Sequence, residues 1–468
     1  MEYGSILPEL ESPALHTDLY EITMSAGYFT AGRANEIAHF ELFIRGLAEN
    51  RNFYLFSGLA AVIELLERWR FDPLDIEYLR SLPELSGLPA GFFKYLTDLR
   101  FTGDLYAMPE GTVVFPNEPI LRVRAPIIQA QLLETALLAI VNHQTTIATK
   151  AARVTRAARG RRVVEFGARR AHGLGAAAWG ARAAYIGGCA GTSNCYAGRR
   201  FGIPVFGTIA HSWIMSFDSE IEAFEAYARA FPSNLMLLID TYDTLEGARA
   251  AARFGDRLAG IRLDSGDLHA LAVEVRSILD EAGLTNAKIF ASGDLNENRI
   301  AELLNAGAPI DAFGVGSELI TSRDQPTLGG VYKLVAVEDA DGGGITLKRK
   351  LSPHKETIPG PKQVMRVHTS RRDSAPYNTH DIICLEGEYL DVGDDATPLL
   401  RQYVSAGVTI RESPHAFTVQ SYAASCLTQF DPKLLALDGH FEYPVVLSEK
   451  LAALMSGSAP AVHLPRGG

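Results

Sequence analysis

Cysteine is scarce in this chain: four in 468 residues (Cys189, Cys195, Cys384, Cys426), scattered and without a CxxC pair. That excludes a disulfide framework, argues against a structural zinc site and fits a reducing compartment. Long apolar runs are lacking too. No segment reaches the roughly 18 uninterrupted apolar residues of a membrane helix, and the opening MEYGSILPELESP is acidic where a signal peptide needs an apolar stretch. Nor is there a basic surplus: the formal net charge of −11 speaks against a nucleic-acid partner. The expectation is a cytoplasmic protein with neither membrane nor nucleic acid as partner. Small anionic substrates stay open, because local Arg and N–H groups decide that. What is present is ordinary for an enzyme, with 47% hydrophobic and 21% charged residues over a length suited to two or three domains.

The first third reads as mixed helix and strand. Asp18–Phe29 looks helical, Ala38–Phe43 extended, and two further strands frame Leu105–Phe115 and Ile120–Val123 around Pro-Glu-Gly and Asn-Glu-Pro turns. Pro126 then opens one long helix with apolar residues at helical spacing. The middle third alternates short apolar runs with helix-like pieces. The runs are Arg162–Phe166, Ala183–Ile186, Pro204–Phe206, Leu235–Ile239, Gly260–Leu263, Lys288–Ala291 and Ile310–Phe313. Their spacing of roughly 20–40 residues is that of βα units. Seven such runs point to a parallel β/α barrel, with a doubly wound sheet as the alternative that periodicity alone leaves open. After Val331 come antiparallel strands at Tyr332–Val337, Gly344–Arg349 and Gln363–His368, with Glu338–Gly343 a turn. The stretch from Pro398 reads as loop and short helix with a frayed tail. The expected division is 1–150, 151–330 and 331–468.

In a β/α barrel the chemistry sits on the loops after the strand C-termini, and here those loops are polar. They hold Glu165 to Arg170, Gly191 to Asn194, Gly207 to Ser212, Asp240 to Asp243, Arg262 to Asp267, Ser292 to Asp294 and Gly314 to Ser317. Each residue alone has a plain reading: Asp264, Asp267 or Asp294 as a helix cap, Arg169 as a surface ion pair. Their recurrence strand after strand favours one shared site. Gly314, Gly316 and Ser317 let the backbone approach a phosphate closely, without the Gly-Lys-Ser/Thr of a Walker loop. The Asp264/Asp267 pair suits ribose hydroxyls or magnesium held through waters. His211, just past a strand in a polar loop, can act as acid, base or phosphoryl acceptor.

The same motifs carry a resemblance. His16-Thr-Asp-Leu-Tyr-Glu, Phe40-Glu-Leu-Phe-Ile-Arg45-Gly, Asn142-His-Gln-Thr, Ile147-Ala-Thr-Lys150, Glu165-Phe-Gly-Ala-Arg169-Arg170, Gly207-Thr-Ile-Ala-His211-Ser-Trp, Arg262-Leu-Asp-Ser-Gly-Asp267, Gly314-Val-Gly-Ser and Leu328-Gly-Gly-Val-Tyr-Lys-Leu occur in order. In these the chain resembles the nicotinate phosphoribosyltransferases over nearly its whole length. The resemblance implies a type II phosphoribosyltransferase fold, an irregular parallel β/α barrel plus an α/β sandwich completed by N-terminal and C-terminal strands. It implies transfer of the ribosyl group of 5-phosphoribosyl 1-pyrophosphate to nicotinate, coupled to ATP through a phosphorylated histidine at His211, and a homodimer with shared active sites. Arg169-Arg170-Ala-His172-Gly-Leu-Gly departs from a loop that more often reads Gln-Gly-Pro after the Ala, while keeping both arginines.

Within that frame the residues take roles. Arg169 and Arg170 suit the nicotinate carboxylate, and Phe166 or Tyr20 its ring. Asp264 and Asp294 suit the cationic ribosyl group, with Thr208, Asp240 and Arg262 beside it. Gly293, Gly314, Gly316 and Ser317 suit the 5-phosphate, while Mg2+, Lys150 and Arg45 suit the departing pyrophosphate, Arg45 from across a dimer interface. Nicotinamide phosphoribosyltransferase is the nearest rival. It places an acidic residue where this chain has Ser193, and serine removes the repulsion of a carboxylate. A barrel that only binds a phosphorylated metabolite is the second; it leaves His211 without a purpose. No group suggests a bound structural metal.

Overall fold

Five of the seven apolar runs of the middle third become parallel strands, and the helices after the Leu235, Leu258 and Lys288 strands start on a side-chain cap; Pro204–Phe206 contributes only a bridge at Val205. In the computed structural model, which describes residues 12–339, 342–353, 355–369, 377–392, 395–457 and 461–465, six strands form one sheet. They are Arg162–Glu165, Gly191–Thr192, Leu235–Leu238, Leu258–Leu263, Lys288–Ala291 and Ala312–Val315, and every pairing is parallel. The spatial order runs from the Gly191 strand through those at Arg162, Ala312, Lys288 and Leu258 to the Leu235 strand. A parallel bridge from Thr192 to Val205 extends the first edge. The sheet curls enough that Arg262, near the far edge, reaches Thr208 just beyond that bridge. This is an irregular barrel, open among the described residues between Val205 and the Leu235 strand.

Side chains at Ile261, Leu263, Ile289, Ala291, Phe313 and Val315 are wholly buried and make the barrel core. The helices that follow begin where polar side chains satisfy free N–H groups. Asp243 accepts from Leu245 and Glu246, Asp267 from His269 and Ala270, and Asn296 from Arg299.

Compact units form from 147–326 and from 1–146 joined with 327–468. The second of these holds an eight-stranded antiparallel sheet. Its order is Val408–Thr409, Arg401–Ser405, Asp104–Ala107, Leu121–Pro126, Ile37–Ile44, Gly330–Glu338, Gly344–Lys348 and Ala461–Pro465. Strands from both ends of the chain thus complete one sandwich, as the resemblance implied. Phe40 stacks on Tyr332 across the central pair, with ring centroids 5.0 Å apart. A second sheet of four strands runs Ala396–Pro398, Lys362–Thr369, Tyr377–Leu385 and Val445–Leu447. Two buried ion pairs brace this unit: Lys362 meets Glu41 at 2.6 Å, and Arg366 meets Asp381 at 2.5 Å with the Tyr443 hydroxyl 3.0 Å from the same carboxylate.

Several expectations change. Ala183–Ile186 is no strand but the last turn of the Leu174–Ile186 helix, since an alanine-rich stretch follows helical propensity when nothing interrupts it. The strand next to it is the two-residue Gly191–Thr192. The helix after Pro126 is two helices, Ile127–Gln131 and Glu134–Ala157. Leu105–Phe115 is split by its Pro-Glu-Gly turn into Asp104–Ala107 and Val113–Val114, which join different sheets. The stretch beyond Pro398 contains strands of the large sheet and a 13-residue helix, Ala416–Thr428. Residues 340–341 of the expected turn, and 458–460 and 466–468 of the expected frayed tail, lie outside the described residues.

Candidate active site

Two aspartates three residues apart separate into different jobs at the end of the Leu258–Leu263 strand. Asp267 is exposed and caps the next helix. Asp264 turns into a polar cluster instead: its Oδ1 lies 2.7 Å from Arg262 Nη2 and 2.5 Å from the Ser292 hydroxyl. Burial by itself would raise the Asp264 carboxyl, but the Ser292 hydroxyl and the Arg262 guanidinium outweigh it and hold the group below the usual carboxylate range. Arg262 donates through Nε to Ser292 at 2.8 Å and through Nη1 to Thr208 at 3.2 Å, with its Cζ 5.5 Å from the Phe166 ring centroid. The guanidinium therefore ties three strand ends together.

His211 begins a short helix, His211–Met215, after the Val205 bridge. Its Nδ1 is 3.1 Å from the Thr241 hydroxyl, and its Nε2 faces Asp264 Oδ2 at 3.8 Å and Asp240 Oδ1 at 3.9 Å. Asp240 is anchored by its other oxygen, which accepts from Asp264 N at 2.8 Å and Ser265 Oγ at 2.7 Å. Its Oδ1 is buried without a hydrogen-bond donor. Glu220 adds to this acidic side. Burial, with the Asp240 and Asp243 charges beside it, pushes its carboxyl up to about 7.

The glycines of the cluster differ in purpose. A Cβ on Gly293 would lie 2.0 Å from the Asp264 carbonyl oxygen, and φ is +94°, so only glycine fits. Asp294 beside it also holds a positive φ, +45°. Gly314 is buried within its strand, and a Cβ there would lie 2.5 Å from the Phe166 ring. Its absent side chain seats Phe166, whereas a Cβ on Gly316, just before the Ser317–Ile320 helix, would meet only an ordinary contact, the Phe166 carbonyl oxygen at 3.6 Å.

The fold thus brings Phe166, Thr208, His211, Asp240, Arg262, Asp264, Gly293, Asp294, Gly314, Gly316 and Ser317 to the strand C-termini of one sheet. Ser193 joins them, its N–H donating to the Glu165 carbonyl at 2.9 Å. Arg169 and Arg170 lie on the next turn, exposed, their guanidinium groups without a hydrogen bond or ion pair among the described residues. Three expected site residues are not in this cluster. Lys150 is buried between Glu297 and Asp324. Tyr20, on the Leu19–Thr30 helix, and Arg45, just after the Ile37–Ile44 strand, belong to the unit formed by 1–146 and 327–468. Ser292 and Thr241 are legible in the sequence only as members of the polar loops after their strands, without a role of their own, and Glu220, which begins a helix after Ser219, gives no signal.

No helix of the described residues is long and apolar enough to cross a membrane. The family model described as the nicotinate phosphoribosyltransferase N-terminal domain matches residues 15–142, and that of the nicotinate phosphoribosyltransferase family matches 161–341. A nicotinate phosphoribosyltransferase of Mycobacterium tuberculosis (strain ATCC 25618 / H37Rv), pncB2, is 47% identical over 451 residues, covering 94% of this chain and 92% of the relative. That of Bacillus subtilis (strain 168) is 43% identical over 483 residues, covering 96% and 95%. The crystal structure of human nicotinic acid phosphoribosyltransferase superposes with a TM-score of 0.82 at 30% identity, covering 95% of this chain and 100% of that one. By sequence over almost its full length, and by fold, this chain belongs to the nicotinate phosphoribosyltransferase family.

Proposed function

We propose that this chain joins nicotinate to 5-phosphoribosyl 1-pyrophosphate, giving nicotinate mononucleotide and pyrophosphate for NAD synthesis, and that ATP drives the reaction through phosphorylation of His211. One observation carries the reading: Phe166, Arg262, Asp264 and His211 form a continuous contact set at the strand ends of a chain in this family. Phe166 offers a ring face to the pyridine, and Arg169 and Arg170, exposed on the next turn, can take the carboxylate. Ser193 places no negative charge near that carboxylate, which favours nicotinate over nicotinamide.

The pyridine nitrogen attacks ribosyl C1, and the C1–O bond to pyrophosphate breaks with the electron pair leaving on oxygen. Positive charge grows on the sugar in between. Asp264, kept ionised by Ser292 and Arg262, stands ready to stabilise it, with Asp294 next to Gly293, the glycine that packs on the Asp264 carbonyl. The 5-phosphate rests on backbone N–H groups at Gly293 and at Gly316–Ser317. In the tautomer that carries its proton on Nδ1, facing the Thr241 hydroxyl, His211 keeps its lone pair on Nε2, the nitrogen facing the cluster, as the acceptor of the γ-phosphoryl group. Water then cleaves the phosphohistidine to phosphate, so each turnover consumes one ATP and releases ADP.

Among the described residues no group of three or more His, Cys, Asp or Glu is placed to hold a metal by itself. Asp240 Oδ1 and Asp264 Oδ2, which face His211 without a donor, are the one or two carboxylate oxygens that Mg2+ takes when substrate phosphates supply the rest. Bound there, Mg2+ would neutralise phosphate charge. Arg45 and Tyr20 are proposed to serve the site of a second copy in a homodimer. Purified protein given the ribosyl donor, Mg2+ and nicotinate, nicotinamide or quinolinate, with and without ATP, tests the reading. Nicotinate mononucleotide formed faster with ATP is expected. Preference for nicotinamide, or no mononucleotide at all, overturns it.

A further inference from the structure

Lys150 is enclosed. Its side chain is 2% exposed, and Nζ lies 2.6 Å from Glu297 Oε2 and 2.8 Å from Asp324 Oδ1. Glu297, also 2% exposed, accepts in addition from Arg153 Nε at 3.0 Å. Burial would raise the Glu297 carboxyl, but Lys150 and Arg153 reverse that and lower it. An ammonium held by two carboxylates in the interior has no room for a third anion, so direct contact with pyrophosphate does not suit it.

The two carboxylates sit at the ends of different loops. Glu297 is the first residue of the Glu297–Asn305 helix, directly after the segment holding Gly293 and Asp294. Asp324 lies four residues past the end of the Ser317–Ile320 helix, which starts at Gly316 and Ser317. Both segments contain backbone that only a firm anchor sustains: Asp294 at φ +45° in one, and in the other Ser322 at φ +42°, buried with its hydroxyl unpartnered. We infer that Lys150 is a positioning residue that pins the 292–297 and 316–324 segments to each other and so sets the width of the cradle for the ribosyl 5-phosphate. This use of the pinned loops rests on the function proposed above; the pinning itself does not.

Lys150→Met, Lys150→Arg and Asp324→Asn test it, with two readouts. Backbone hydrogen exchange without ligand should accelerate in both segments by about tenfold or more for Lys150→Met, and only in 316–324 for Asp324→Asn, while Leu258–Leu263 keeps its rate. Steady-state KM for the ribosyl donor should rise about tenfold while that for nicotinate stays within roughly twofold, and Lys150→Arg should recover most of the difference. Unchanged exchange in both segments, or an equal rise throughout 147–326, overturns the pinning. A KM for nicotinate rising in step with that of the donor overturns the link to the phosphate. If the wild-type protein forms no mononucleotide, the proposed function fails while the exchange data still decide the pinning. Should Lys150→Met not fold, Asp324→Asn, at a position whose side chain is 25% exposed, decides the pinning through the exchange rate of the 316–324 segment alone.

Discussion

His211 Nε2 stands 3.8 Å from Asp264 Oδ2, on the side of that carboxylate which Arg262 and Ser292 leave open. One aspartate thereby touches the group expected to carry phosphate and the guanidinium that lies over the aromatic floor of the site. A charge change at either end is felt by the other, because the groups are close and the local dielectric is below that of water.

His211→Ala should abolish the stimulation by ATP and the incorporation of label from γ-phosphate-labelled ATP, leaving turnover at the ATP-independent rate. Filter-bound label per mole of protein is the measurement. Stoichiometric labelling of the variant would assign the phosphate to another residue.

Asp264→Asn removes the charge but keeps an oxygen for Arg262 and Ser292. A fall in kcat/KM on the order of 10²–10³ is expected, the range for losing one preorganised electrostatic contact in a transition state. An effect under threefold would remove Asp264 from the ribosyl step.

Ser193→Asp should weaken nicotinate and improve nicotinamide. Placing like charges together costs several kcal/mol, and about 1.4 kcal/mol is a tenfold change, so the preference should shift by roughly 10²-fold or more. Competition assays with the acid and the amide read it, and an unchanged ratio would place the pyridine substituent away from Ser193.

Glu220 links pH to stability. Its carboxyl is raised to about 7 from an ordinary 4.5, so between those values the folded state holds the proton more tightly than the unfolded chain. The stabilisation is full below 4.5 and is lost as pH rises through about 7. Glu220→Gln should remove that part of the decline. The group is half-exposed and screened by water, so the gain at pH 8 relative to pH 5 should be on the order of 1 kcal/mol. Urea unfolding of both proteins at the two pH values measures it; parallel declines would show that Glu220 is not the titrating group.

In the sandwich, Asp381→Ala strands Arg366, which has a side-chain exposure of 5%. Removing one partner of a buried pair costs about 3–5 kcal/mol, so a large drop in unfolding midpoint is expected from calorimetry. A small drop would mean that Glu118, whose carboxyl burial raises and which lies beside Asp381, takes over the guanidinium.

The strand-end polar groups could be read before folding because a β/α unit puts its C-terminal loop residues on one face whatever the packing, and that rule depends only on chain order. Which of two nearby residues uses that face is another matter. Asp264 and Asp267 are equivalent in sequence terms, yet one caps a helix and the other meets Arg262. The Ala183–Ile186 reading failed for a related reason: four apolar residues fit a strand or a helix end equally well until neighbours choose.

By itself, then, the order of residues determined the alternation of strands and helices, the polarity of the loops and the family to which the motifs belong. These are local or cumulative properties, carried by periodicity, capping and turn chemistry. The tertiary structure alone decided that Gly314 makes room for Phe166 and that Lys150 is buried between two acids. It also decided that Arg262 spans from its own strand to Thr208. Such facts depend on distances between residues far apart in the chain, which no local pattern encodes.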